Sequence, residues 1–235
     1  MNWFSKFLGN SVSANLSPEQ LERLNAWKAL PASNLDAPHL SARYIVVDIE
    51  ASGLDLKNDR LISIGAVAVT HGLIDNSDAF EVVLRQEKVS DQQNILIHGI
   101  GASAQREGME PAEALLQFLE YAGKSPLIAY HAFFDQSMID QANKTHLGFH
   151  PELVWHDLAW VLPELYSDRI SGIVGLDTWL ESFHIQNYQR HNAVSDCLAT
   201  AQLFQVAMRA ATGAGLDNAR QLLLVEQARR SLRRS

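Results

Sequence analysis

Three things are scarce in this chain: cysteine, positive charge and long apolar runs. Each shortage removes a class of protein. A single cysteine, Cys197, in 235 residues rules out an internal disulfide framework and fits a reducing cytoplasm. No stretch approaches the roughly 18 consecutive apolar residues of a membrane span. The opening MNWFSKFLGN has neither an apolar core of signal length nor a small-residue cleavage site, so the chain reads as soluble and cytoplasmic, with no membrane partner. Lys and Arg number 19 against 27 Asp and Glu, a net charge of −8 with histidine neutral. That balance argues against a broad surface that clamps duplex nucleic acid by neutralising many phosphates. It leaves room for a site of clustered carboxylates, where bound divalent cations supply the positive charge that an anionic substrate meets.

Hydrophobic residues make up 47% of the chain and charged residues 20%, enough to bury one substantial core without disulfides. The spacing divides the chain into an N-terminal helix and linker over 1–42, a main domain over 43–211 and a C-terminal helical tail over 212–235. Residues 17–30, SPEQLERLNAWKAL, place Leu21, Leu24, Trp27 and Leu30 at helical spacing behind a Ser17-Pro18 start. Pro31 and Pro38 then break the periodicity.

From Tyr44 the run YIVVDIE predicts a strand buried on both faces. Two further strands are expected at 61–69 and 79–84, joined as an antiparallel meander. A helix follows over 111–122 with Ala114, Leu115, Phe118 and Leu119 on one face. PLIAYHAFFD reads as a short strand leading into a helix that runs to about Lys144. Helical spacing returns at 156–165, 175–184 and 193–211. The order implies an α/β layer structure with one mixed sheet. In the tail, Arg229, Arg230, Arg233 and Arg234 lie where cations favour the end of a helix, which points to a solvated terminus ahead of the alternative, an RNA or DNA contact.

The chemistry is concentrated in five residues. Asp48 and Glu50 are two apart on an apolar strand, and residues i and i+2 share a strand face. Two acids leaving water together repel each other, and a divalent cation compensates; an isolated D-x-E at a wet strand end would need none. Asp135 stands where a strand gives way to a helix, the usual address of a site in an open α/β sheet, although Asp there also serves as an N-cap. His191 and Asp196 bracket the start of the helix whose apolar face is Val194, Cys197, Ala201, Phe204 and Met208. They can converge beyond a helix N-terminus that favours phosphate. Jointly the acids suit two hard cations, Mg²⁺ or Mn²⁺, and a neutral imidazole can take a proton from an attacking water.

These residues resemble the DEDDh exonuclease family, which includes the proofreading epsilon subunit of bacterial DNA polymerase III, RNase T and oligoribonuclease. The likeness runs from about Arg43 to Ala211 and rests on VDIEASGL at 47–54, IHGI at 97–100, AYHAFFD at 129–135 and RHNAVSD at 190–196, in the family's order. It implies an RNase H-like fold, a five-stranded mixed sheet flanked by helices, and removal of 5′-mononucleotides from a 3′ end. It further implies Asp48, Glu50, Asp135 and Asp196 as ligands of two divalent ions, with Asp48 bridging them, and His191 as general base. Ser52, Leu54, His98 and Phe134 fall where the family meets the terminal nucleotide. Two positions depart from the pattern. Tyr130-His131 replaces the usual His-Asn, and Ala51 stands where Thr is common.

The partner so implied is the 3′ end of single-stranded DNA or RNA, with DNA mildly favoured. An RNA or short-oligonucleotide exonuclease and a scaffold without turnover are the rival readings. The outer helices could dock a polymerase, pair two copies of the chain or cover the sheet, and the sequence does not choose among these.

Overall fold

The computed structural model describes residues 16–170, 172–188 and 190–232. The opening MNWFSKFLGN and the arginines at 233 and 234 lie outside the described residues. A capping box between Ser17 and Gln20 starts α1 (Pro18–Lys28). Only Leu24 and Trp27 of its expected apolar face are buried; Leu21 and Leu30 are exposed. The helix is held by Arg23, which pairs with Glu113 at 2.8 Å and Glu120 at 2.7 Å, and by the Trp27 indole N–H on the Gly123 carbonyl.

A five-stranded sheet forms the centre: β1 (Arg43–Ala51), β2 (Leu61–Thr70), β3 (Leu73–Val83), β4 (Leu127–Ala129) and β5 (Trp155–Asp157), in the order β3-β2-β1-β4-β5. The first three are antiparallel, as the sequence predicts, and β4 and β5 join in parallel. The third strand starts at Leu73, earlier than the expected 79, because its first half is the polar run Asp75-Asn76-Ser77-Asp78 on an exposed edge, where polarity guards against pairing with another chain. The fifth strand was expected to be helical from 156; three residues of strand precede that helix.

Helices cover both faces: α2 (Gln92–His98), α3 (Ala102–Glu107), α4 (Pro111–Ala122), α5 (Phe133–Leu147), α6 (Leu158–Leu165), α7 (Leu176–Ser182), α8 (Ala193–Gly213) and α9 (Ala219–Leu232). The short helices α2 and α3 had no counterpart in the sequence reading. Along β1 the residues alternate between the two layers. Ile45, Val47 and Ile49 belong to the core under α4 and α5, while Tyr44 and Val46 belong to the core under α8. Each such side chain contributes about 1.5–3 kcal/mol by leaving water. The period-2 rule therefore carries Asp48 and Glu50, the next two members of the Tyr44–Val46 set, to the α8 side.

The linker and tail dock on the body. Pro38 bridges to Asn218, Arg220 pairs with Asp36 at 2.6 Å, and α9 lies against α6 and β5. The tail arginines are not simply a solvated helix end: Arg229 holds Glu164 at 2.8 Å, and Arg230 holds Asp157 at 3.1 Å and Glu226 at 2.9 Å. No helix among the described residues is long and apolar enough to cross a membrane.

Candidate active site

The site is assembled where α8 meets the central strands. Asp48 pairs with Gly65 across the β1–β2 ladder. A Cβ at Gly65 would stand 2.6 Å from the Ala193 backbone, so only glycine lets the first turn of α8 approach the sheet this closely. The Cys197 thiol donates to the Gly65 carbonyl at 3.1 Å, fixing the same contact. That approach brings Asp196 to the acids of β1. Asp48, Glu50 and Asp196 each offer an oxygen, and these atoms lie within 4.8 Å of one another.

Asp135 sits in the first turn of α5 and does not cap it; the N-cap position is Ala132. Its buried carboxylate takes a hydrogen bond from the Ile49 backbone and acts electrostatically on Asp48. Burial first, then the charges of Asp135, Asp196 and Glu50, push the Asp48 carboxyl well above its usual range, with Arg190 opposing them. Burial likewise pushes Glu50 up to about 8 and Asp135 up to about 8. Four converging carboxylates in low dielectric cannot all ionise without a counter-charge. The donor set is all carboxylate oxygen, which suits hard divalent cations.

Sequence reasoning missed a cation in direct contact with this cluster, the one such contact among the described residues. The Arg190 guanidinium donates to Asp196 at 2.9 Å and reaches Asp177 at 3.0 Å. Asp196 also accepts from the Asn187 amide and, at 3.0 Å, from the His191 backbone N–H. His191 itself is exposed. Its backbone is left-handed with φ 61, and Asn192, not His191, caps α8 through the Ser195 N–H.

The loop after β4 carries the departure Tyr130-His131. His131 also has a left-handed backbone, φ 62, and donates its N–H to Asp157 at 2.9 Å. Asp157 is itself held by Arg230 of α9 at 3.1 Å. The C-terminal helix is thus wired, through one carboxylate, to the loop that presents Asp135.

Of the residues expected at the terminal nucleotide, Leu54 is 86% exposed beyond β1. The Ser52 hydroxyl is committed to the β1–β2 turn, donating to Asp59 at 2.8 Å and accepting the Arg60 N–H at 3.0 Å. His98 is buried at the end of α2, where its Nδ1 accepts the Ile100 N–H at 2.9 Å. Phe134 packs against the core, and the exposed aromatic is its neighbour Phe133, at 65%.

The raised carboxyls give stability a definite pH dependence. Acids whose folded values exceed their unfolded ones bind protons more tightly when folded, so metal-free stability is full below the unfolded carboxylate range and falls as pH rises towards about 8. We expect the melting temperature in EDTA to fall by several degrees between pH 5.5 and 8.5. Saturating Mg²⁺ or Mn²⁺ should remove most of that decline, and metal uptake near neutral pH should release protons. Calorimetry in the two conditions checks this; parallel curves would contradict the electrostatic account.

Comparison with known proteins follows the same lines. A family model described as exonuclease, of the RNase T type, matches residues 45–204. The PolC-type DNA polymerase III of Caldanaerobacter subterraneus subsp. tengcongensis is 33% identical over 165 residues, covering 70% of this chain and 11% of that protein. The Thermotoga maritima PolC-type polymerase is 27% identical over 169 residues, covering 72% and 12%. The chain thus spans about a tenth of the length of these relatives. Among solved structures, E. coli Exonuclease I in complex with a dT13 oligonucleotide superposes with TM-score 0.63 at 16% identity, covering 74% of this chain and 42% of that one. Exonuclease X in complex with 5′ overhanging duplex DNA gives TM-score 0.59 at 18% identity, covering 78% and 99%. At these identities the structural likeness speaks for the fold, which is RNase H-like.

Proposed function

The chain belongs to the DEDDh exonuclease family, and from that premise we propose that it removes 5′-mononucleotides from the 3′ end of single-stranded nucleic acid, DNA before RNA, with two divalent cations. The carrying observation is the meeting of Asp48, Glu50 and Asp196 within 4.8 Å, with Asp135 coupled to them from α5.

In this reading Asp48, Glu50, Asp135 and Asp196 would hold Mg²⁺ or Mn²⁺. Bound cations of this kind make water a nucleophile at neutral pH and stabilise the oxygens of an in-line displacement. The chain's own groups do the rest. His191, at the open rim, accepts the proton of the attacking water. The N-terminus of α8 favours the scissile phosphate through its dipole. Leu54 and Phe133, both exposed, offer apolar faces to a base; such contacts tolerate any sequence because every base has a π-face. The preference for DNA is supported by the PolC-type relatives and by the oligonucleotide bound in the Exonuclease I structure. The same relatives support a polymerase as partner of the outer helices.

The test is direct. Matched single-stranded DNA and RNA oligonucleotides are incubated with Mn²⁺ or Mg²⁺, and products are resolved by length. We expect mononucleotides from the 3′ end, arrest by EDTA and faster loss of DNA. No mononucleotide from any 3′-ended substrate would overturn the assignment; equal rates would remove the DNA preference alone.

A further inference from the structure

A second feature lies on the opposite side of the β1–β2 turn. In a chain of net charge −8, surface arginines are mostly neutralised: Arg23, Arg43, Arg220, Arg229 and Arg230 each hold a carboxylate. Arg60, Arg85, Lys88 and Arg106 are different. All four line one open groove of about 810 Å³, and none of them pairs with a carboxylate among the described residues. Arg60 is oriented by neutral acceptors instead, the Gln86 side chain at 3.3 Å and the Lys88 carbonyl at 2.8 Å.

Three carboxylates share the groove. Two are spent inside the protein. Asp59 accepts the Ser52 hydroxyl and the Asp55 N–H, both at 2.8 Å, and Glu110 caps α4 through the Glu113 N–H at 2.9 Å. Glu87 is the third and is exposed. The bonds to Asp59 and Glu110 come from neutral donors and leave the carboxylates charged, so the lining carries four cations against three anions and is net positive by one. Leu61, Leu84, Met138 and Ala142, all buried, close the groove's floor.

The groove is linked to the carboxylate cluster through the protein at two points. Ser52, two residues beyond Glu50, is bonded to Asp59 and Arg60 at the groove's rim. Met138 in its floor is one helical turn beyond Asp135 on α5.

We propose that this groove is an exosite for the phosphodiester backbone of a single-stranded nucleic acid, gripping it away from the scissile bond. The proposal rests on the exonuclease reading. It answers a difficulty that reading raises: an acidic protein whose site is a carboxylate cluster repels a polyanion, and affinity for one comes from cations that displace its counterions. A groove of this size fits the volume range of ligand sites, and a short grip suits an enzyme without a broad basic surface.

The experiment uses the full chain and the variant Arg85→Glu/Lys88→Glu/Arg106→Glu, whose positions are exposed. Binding of a fluorescent single strand of about twelve nucleotides is measured by anisotropy in EDTA, so no cleavage is needed. Hydrolysis of a dinucleotide with Mn²⁺ is measured beside it. We expect the variant to bind the long strand at least about tenfold more weakly and to lose roughly two units from the slope of log affinity against log salt. Dinucleotide hydrolysis should be unchanged. Unaltered affinity and salt slope would overturn the exosite while leaving the exonuclease reading intact. Equal loss on both substrates would also overturn it, because the residues would then act on the site or the fold. Polyglutamate that binds as tightly as the oligonucleotide would reassign the groove to an acidic protein segment. Wild-type protein that binds the long strand but releases no mononucleotide from any 3′-ended substrate would sink the reaction and not the groove.

Discussion

Asp48→Asn should abolish cleavage and, at the same time, make the metal-free protein more stable. The first effect follows from the position of Asp48 in the cluster. Its carboxyl feels Asp135, Asp196 and Glu50 together, and the DEDDh resemblance implies it as the ligand that two ions would share. Losing a shared ligand removes several kcal/mol of transition-state charge stabilisation, and about 4 kcal/mol is a factor of roughly 10³ in rate. The second effect follows from the same electrostatics with the opposite sign. Without metal, this carboxyl is crowded by three others with Arg190 alone opposing them, and asparagine keeps the shape while removing one charge. The metal-free melting temperature at pH 8 should therefore rise, and the increment normally gained from Mn²⁺ should shrink or vanish. Calorimetry with and without Mn²⁺, beside single-turnover hydrolysis, reads both effects. A variant that kept more than a tenth of the rate with its full metal-induced stabilisation would show that Asp48 is not the shared ligand.

How far this could be read from the sequence depended on the range of each interaction. The acids of β1 were legible because i and i+2 on an apolar strand must share a face, and the sheet carries them to α8 as that rule requires. The approach of α8 was not legible: Gly65 inside LISIGAVAV reads as a weak strand residue, and only the packed structure shows the Ala193 backbone 2.6 Å from where its Cβ would be. Arg190 was hidden for a similar reason. Beside a histidine in a polar loop it resembles any surface cation, yet its contact with Asp196 makes it the counter-charge of the metal-free cluster. The link from the tail to the AYHAFFD segment was further out of reach, since Arg230 and Asp157 are 73 residues apart and neither belongs to a motif. Sequence reasoning named Phe134 as the aromatic at the nucleotide; in the structure Phe134 is half-buried against the core, and its neighbour Phe133 is exposed. With adjacent aromatics, which one faces out is decided by where the helix begins, and Ala132 at the N-cap position gave no side-chain signal for that start.

The base assignment carries the second large effect, and the backbone at His191 decides how it must be tested. His191 stands at φ 61, a region that costs most residues about 1–3 kcal/mol but that asparagine and histidine tolerate better. His191→Ala therefore mixes two losses, the imidazole and the backbone fit; His191→Asn removes the imidazole alone. If the imidazole takes the proton from water, both variants should hydrolyse about 10²–10⁴-fold more slowly near neutral pH. Only the alanine variant should lose stability, by about 1 kcal/mol. Metal-induced stabilisation should persist in both, because the Asp196 carboxylate is held through the His191 backbone N–H and not through the ring. The rate of either variant should keep climbing with pH where the wild type levels off, since hydroxide must then replace the missing base. The exposed position further implies that added imidazole can enter and restore part of the rate to His191→Asn. An asparagine variant with the wild-type rate and pH profile would remove His191 from the reaction; one that is slow but unresponsive to imidazole and pH would show that the ring acts other than as the base.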